Sequence, residues 1–346
     1  MIDPKSIHWE ELTFSLTPTA SMFVAKTTAD NKWESGRLEP YGDIAISPAA
    51  CVLNYGQGIF EGLKAYHSHN NKILLFRPDA NANRIADGCR RICIPPVPKD
   101  LFMQGVTAVI KANQEFIPPY RPNAESQGAL YLRPLVLGTG PILGVNPAPS
   151  YTFLIYASPV GPYFKGGLQP IKLVVSEEYH RATPGGTGCV KFIGNYAASL
   201  LPKKMAKSGK FDEVVYLDSV ENKYVEETGA ANFFCIKGNN LTTPKLDGTI
   251  LPGITRNSVL QLAKDRLKLN VKECKLDIED ALRSDEAFAT GTAAVISPIG
   301  CITFHNQDHL INNNQIGSIT RKLYKLLVDI QHGLEQEPYG WVQEIA

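Results

Sequence analysis

The period at which apolar positions recur changes along the chain and marks its elements. From residue 6 to residue 50, short apolar segments alternate with turns such as Pro40-Tyr41-Gly42-Asp43, the pattern of β-structure. Ile73-Leu74-Leu75-Phe76 predicts a strand, and Arg77-Pro78-Asp79 ends it and opens a helix, with Asp79 placed as N-cap and Arg84 on the helix itself. Between Lys99 and Phe116, Leu101, Phe102, Val106, Val109 and Ile110 recur at helical spacing. Ala129 to Leu137 alternates as a strand, which puts Tyr131 and Arg133 on one face and Leu130 and Leu132 on the other. Tyr151 to Ala157 predicts a further strand.

Ser158-Pro159-Val160-Gly161-Pro162-Tyr163-Phe164-Lys165-Gly166-Gly167 is dense in proline and glycine and separates two strand-rich halves. Three parts are therefore expected: a smaller α/β domain over 1–158, a linker over 159–170, and a larger domain over 171–346. The second half opens with the strand Ile171 to Val175 and a glycine-rich bend, followed by a helix from about Tyr196 to Ser208. Glu213 to Asp218 and Tyr224 to Glu227 predict a hairpin, Asn232 to Ile236 another strand, and Ser258 to Ala263 a helix. Ala287 to Ala294 ends a strand in a Gly/Thr turn, and Ile316 to Leu334 is an amphipathic helix.

Charge and composition narrow the partners. In 346 residues, Lys+Arg 35 against Asp+Glu 34 leaves a net charge of +1, so no basic field attracts nucleic acid or anionic lipid. No apolar run reaches the roughly 18 residues of a membrane span, and the start lacks the order of a signal peptide. The expected location is cytoplasmic, or organellar if a transit peptide has been removed. Seven cysteines without CxxC or a Cys/His cluster read as reduced thiols, and no metal site is expected. Small molecules remain as partners.

Gly185-Gly186-Thr187-Gly188-Cys189-Val190-Lys191-Phe192-Ile193-Gly194-Asn195-Tyr196 holds one lysine between glycines. It is either a surface loop lysine or an amine delivered into an enclosed pocket, where desolvation favours its neutral, nucleophilic form. Arg133 on an alternating strand either grips a carboxylate bidentately or pairs with a structural acid. Gly253-Ile254-Thr255 and Gly291-Thr292-Ala293 each present backbone N–H groups and a hydroxyl, suited to phosphate or merely to capping a turn. A lysine, two anion turns, Arg84 and a glutamate in an apolar strand together suit pyridoxal phosphate, which requires a lysine, a phosphate cradle and an acid at its ring nitrogen.

In order along the chain stand Tyr55-Gly56-x-Gly58-x-Phe60-Glu61-Gly62, Tyr131-x-Arg133-Pro134, the Lys191 stretch, Glu227 to Asn232, Leu251-Pro252-Gly253-Ile254-Thr255-Arg256 and Gly291-Thr292-Ala293. From about residue 8 to 343 the chain resembles the branched-chain amino-acid aminotransferases, in their plant-like eukaryotic branch. The resemblance implies an α/β fold-type IV enzyme with pyridoxal 5'-phosphate between two domains, the second barrel-like, and a homodimer that completes its substrate pocket with a partner loop. It implies that Lys191 forms the Schiff base and moves the substrate proton, that Glu227 faces the ring nitrogen, and that Tyr196 meets the phenolic oxygen. Arg84, Ile254, Thr255 and Thr292 hold the phosphate, with Arg181 also beside the cofactor. Tyr131 and the N–H groups of Thr292 and Ala293 take the α-carboxylate; Tyr55, Phe60, Val160 and Tyr163 surround the side chain; Arg133 takes the glutamate γ-carboxylate.

The implied reaction is reversible transfer of the amino group of leucine, isoleucine or valine to 2-oxoglutarate. A methionine-directed relative, an aminotransferase or lyase of the same fold acting on other substrates, and a silent binding protein with the fold are the alternatives. Ala294-Val295-Ile296-Ser297 stands where animal members of the family carry a CxxC pair.

Overall fold

The computed structural model describes residues 3–28, 30–122, 124, 127–161 and 168–345, and they divide into two compact units. The first comprises Met1–Lys165, Val190–Gly194 and Asp329–Ala346; the second comprises Gly166–Cys189 and Asn195–Val328. Half of the expected linker, residues 162–167, lies outside the described residues, Tyr163 among them. The sequence reading kept all of 171–346 together. Val190–Gly194 groups with the first unit because Phe192 bridges to Ile59 and the Phe60 N–H donates to the Lys191 carbonyl.

The first unit contains β1 (Ser21–Lys26), β2 (Arg37–Pro40), α1 (Cys51–Tyr55), β3 (Gly58–Phe60), β4 (Leu63–His67), β5 (Ile73–Phe76), α2 (Pro78–Arg91), α3 (Lys99–Ala112), β6 (Ala129–Gly138) and β7 (Tyr151–Val160). Its sheet runs β5-β4-β6-β7-β1-β2, with β3 on β6 and the last strand, Val342–Ile345, on the free side of β5. Sheet contacts within the unit are antiparallel. The apolar stripe of α3 covers one sheet face: Phe102 stacks on Phe153 with centroids 6.2 Å apart. Tyr131 and Arg133 leave the other face, as alternation requires.

Several helix boundaries differ from the sequence reading: the helix expected over 99–116 ends at Ala112, the one expected over 316–334 spans Ser318–Gln331, and two others have a clear local cause. Asp79 lies in the first turn of α2, one residue past Pro78, and the N-cap is Arg77 in the left-handed region. Proline takes the first helical position because its absent N–H has no partner there to lose, and the acid still favours the positive end of the helix. The helix expected over 196–208 is two, α4 (Ile193–Ala198) and α5 (Leu200–Ser208). At the break the Ser199 hydroxyl donates to the Tyr196 carbonyl at 2.7 Å, competing for a helical acceptor, and Pro202 follows in the first turn of α5.

The second unit contains β8 (Ile171–Ser176), β9 (Glu213–Leu217), β10 (Tyr224–Thr228), β11 (Ala231–Lys237), β12 (Asn240–Pro244), α6 (Ile254–Asp265), β13 (Asn270–Cys274), β14 (Leu276–Asp277), α7 (Ile278–Leu282), β15 (Glu286–Gly291), β16 (Val295–Phe304), β17 (Gln307–Leu310) and most of α8 (Ser318–Gln331). Strands run β11-β15-β16-β8-β9-β10, and β10 pairs again with β11. That pairing closes a six-strand circuit, so none of these strands presents an unpaired edge. The stacked rings of Phe234 and Phe288, 5.0 Å apart, belong to its buried core.

Candidate functional site

In the first unit, one aromatic ring gathers two cations. Phe60 ends β3, which pairs with β6 so that Phe60 shares a face with Arg133 and Tyr131. The Arg133 guanidinium lies 4.7 Å from the Phe60 ring centroid and 5.3 Å from that of Tyr131, and it donates to the Tyr131 hydroxyl at 3.3 Å. Lys191 Nζ lies 4.4 Å from the same Phe60 centroid. The negative face of an aromatic ring favours such cations while remaining apolar. A Cβ on Gly62 would stand 1.9 Å from the Tyr131 hydroxyl, so only glycine admits Tyr131 there. Val160 is buried at the end of β7. Tyr55 sits at the end of α1, half exposed, and its hydroxyl donates to the Leu143 carbonyl.

Arg84 is held from below. Its Nε and Nη2 donate to the two oxygens of Glu61 at 2.7 and 2.8 Å, and Asn81, one turn earlier on α2, donates to Glu61 at 2.7 Å. Burial pushes the Glu61 carboxyl up. The charges of Arg84 and Lys191 and the hydrogen bonds outweigh that and hold it below its ordinary value. Glu61 therefore stays ionised and orients Arg84.

In the second unit, Glu227 is wholly buried on β10. Arg181 meets its Oε2 at 2.6 Å, and Asn232, directly across the β10–β11 pairing, donates to its Oε1 at 2.9 Å. Arg181 also donates to the carbonyls of Thr249 and Gly188 at 3.0 and 3.3 Å. The guanidinium expected beside a cofactor is thus engaged by Glu227 and the backbone. The second amide bond of Asn232, 2.9 Å to the Leu251 carbonyl, ties the carboxylate to the turn that opens α6. A Cβ on Gly253 would come within 2.0 Å of Asn232 Oδ1, so the turn requires glycine.

Ile254 and Thr255 begin α6, whose N-cap is that glycine and offers no side-chain cap. Thr292 and Ala293 form the half-buried turn between β15 and β16, and Tyr196 lies half-buried on α4. Thr290 pairs with Asn232 across β11 and β15, and among the described residues its buried hydroxyl makes no hydrogen bond.

Glu226 has different partners from its neighbour. Burial pushes its carboxyl up to about 7, with Thr249 hydrogen bonding opposing and the charge of Glu227 adding to the rise. Three residues escape the sequence reading. Glu61 appears there only as part of a motif, Asn81 not at all, and Lys64 is buried opposite Tyr131. The one signal for Lys64 was a charged residue inside the apolar run Leu63-Lys64-Ala65-Tyr66.

Among the described residues no helix is long and apolar enough to cross a membrane. Residues 58–302 match the family model described as amino-transferase class IV. The chain is 45% identical over 340 residues to branched-chain-amino-acid aminotransferase 5, chloroplastic, of Arabidopsis thaliana, covering 98% of this chain and 80% of that protein. The crystal structure of the Escherichia coli branched-chain amino acid aminotransferase superposes with a TM-score of 0.82 at 27% identity, covering 95% of this chain and all of that one. The branched-chain amino acid aminotransferase from Thermobaculum terrenum, solved in its PLP form, shares the fold at a TM-score of 0.78 and 23% identity, over 95% of this chain and 99% of that one. With these matches running almost end to end, the chain belongs to the class IV aminotransferases, in their branched-chain amino-acid aminotransferase family.

Proposed function

We propose that this protein transfers the amino group of leucine, isoleucine or valine reversibly to 2-oxoglutarate, using pyridoxal 5'-phosphate. The observation that carries the reading is the Phe60 ring, with the amine of Lys191 at 4.4 Å and the guanidinium of Arg133 at 4.7 Å. An apolar wall suits a branched side chain, and a guanidinium beside it suits the distal carboxylate of glutamate.

The donor sets suit the cofactor. Lys191 is its covalent anchor, and Glu227, paired with Arg181 and aimed by Asn232, is the acid for its ring nitrogen. The uncapped start of α6 at Ile254 and Thr255, the Thr292 turn and Arg84 are its phosphate donors, and Tyr196 serves the phenolic oxygen. The orphaned Thr290 hydroxyl fits a site built to hold a polar group. Pyridoxal phosphate supplies, when bound, an aldehyde to capture the amino group and a ring to accept the electrons released at Cα. Lys191 takes the proton from the substrate Cα. Arg181 acts through Glu227. Tyr131, Thr292 and Ala293 receive the α-carboxylate, and Phe60, Val160, Tyr55 and Tyr163 exclude water from the side chain.

A homodimer belongs to the same reading. Leu143 and Val145 are 91% and 81% exposed on one loop, to which Tyr55 is fastened, and apolar groups so exposed suit a partner surface. Light scattering should return twice the chain mass. For the reaction, initial rates of Leu, Ile, Val, Met and Phe with 2-oxoglutarate decide the substrate; methionine outrunning all three branched donors would overturn it. Lys191→Ala should abolish both activity and the visible absorption band of the bound cofactor, and a surviving band would remove Lys191 from its role.

A further inference from the structure

On β10 the register slips beside β9. Val225 faces Leu217 and Glu227 faces Tyr216, so Glu226 between them is the extra residue of a bulge. A bulge re-aims its side chain, and Glu226 lines a cavity of about 180 Å³ within the second unit, bounded by the turn at 218–221, the segment 244–250 and residues 274–275. It is only 6% exposed, and its Oε2 makes no hydrogen bond among the described residues. A buried carboxyl oxygen without a donor is costly, and a bound molecule that supplies one removes the cost.

The other acids of the lining already have donors. Asp218 accepts the backbone N–H groups of Val220, Glu221, Lys223 and Tyr224, and Glu221 pairs with Lys275 at 2.8 Å. Asp247 is exposed, which places it at the mouth, and one of its oxygens accepts from the Thr249 hydroxyl at 3.1 Å; Lys245 also lines the mouth. Tyr224 and Cys274 complete the titratable groups of the lining, which therefore sets four acids against two lysines. Beyond the lining, the charge of Glu227 opposes ionisation of Glu226, and Arg181 favours it only weakly. Val225 and Ile250, both buried, add an apolar wall.

An excess of acid calls for a cation. Among the described residues no three His, Cys, Asp or Glu side chains stand together as metal ligands, so a metal ion lacks its ligand set here. An ammonium needs only acceptors, and an aliphatic body suits the wall. We infer that this cavity is a ligand site of its own, which takes a small primary ammonium with a short aliphatic body and sets its N–H groups on Glu226 Oε2 and Asp247. Burial holds the free Glu226 carboxyl up to about 7, and the arriving ammonium favours its ionised form, so binding below that pH releases the carboxyl proton to solvent.

The test is calorimetric titration of isobutylammonium chloride into the holoenzyme with its cofactor in the pyridoxamine form, which has no aldehyde to condense with an amine. Affinity should be about tenfold tighter at pH 8 than at pH 6, and buffers of differing ionisation enthalpy should report roughly one proton released per amine at pH 6. Isobutanol, of the same shape without the charge, should not bind. Glu226→Gln should abolish binding at both pH values, and Asp247→Asn, at the exposed mouth, should weaken it about two- to threefold. A wild type that binds no amine, wild-type affinity surviving in Glu226→Gln, an affinity indifferent to pH, or isobutanol binding as tightly as the amine overturns the inference. Potassium chloride displacing the amine at equal concentration also overturns it, in favour of an inorganic cation.

Discussion

Each unit buries a glutamate against an arginine, and the two pairs are built differently. In the first, Arg84 applies one edge of its guanidinium to both oxygens of Glu61, and Asn81 of the same helix adds a third bond. In the second, Arg181 meets one oxygen of Glu227 and spends its other bonds on the carbonyls of Gly188 and Thr249, while Asn232 takes the second oxygen. In the first pair the carboxylate is saturated and sets the direction of the arginine. In the second the arginine is anchored to backbone and sets the direction of the carboxylate. The same two side chains thus fix the direction of a cation in one pair and of an anion in the other.

The contrast is broken most severely at Arg181. Arg181→Met leaves Glu227 buried with its charge uncompensated and two carbonyls without donors, which should cost about 3–5 kcal/mol in denaturant titration. Arg84→Met should cost less, about 2–3 kcal/mol, because Glu61 keeps Asn81 and Arg84 is the more exposed of the two arginines. Equal losses would mean that the pairs are equivalent. Asn232→Ala removes one bond to Glu227 and one to the α6 turn, with an expected loss of about 1–3 kcal/mol and a weaker hold on the cofactor measured by dialysis.

The smallest effect belongs to Glu226, the neighbour that makes no ion pair among the described residues and feels Arg181 only as a minor influence. It ionises near 4.5 in the unfolded chain and only at about 7 in the folded one, so the folded state loses stability as pH rises through that window. Glu226→Gln should therefore melt above the wild type once the pH exceeds about 7 and match it below 4.5. A variant that melts lower at high pH would make Glu226 a second structural carboxylate.

Local patterns carried much of this to the reader of the sequence alone. Alternation placed Tyr131 and Arg133 together, and the predicted strands from Ile73 to Ala287 correspond to observed ones. Contacts between distant segments were not readable. Glu61 and Arg84 stand 23 residues apart and meet only once α2 packs on its sheet, and α4, α5 and β9 all lie between Arg181 and Glu227 in the chain. Helical spacing and strand period describe neighbours along one element, and they carry no information about which arginine a buried acid will find.

The closure of the six-strand circuit falls at the β10–β11 pairing, where Glu227 faces Asn232 and Thr228 faces Ala231. A slip of one residue at that seam would turn Glu227 away and bring Glu226 in, because the side-chain period of a strand is two. The ring could still close, yet the acid at the amide would be the one without Arg181. A mispaired chain would thus betray itself as a protein that fails to retain its cofactor, which makes cofactor retention an assay of strand alignment.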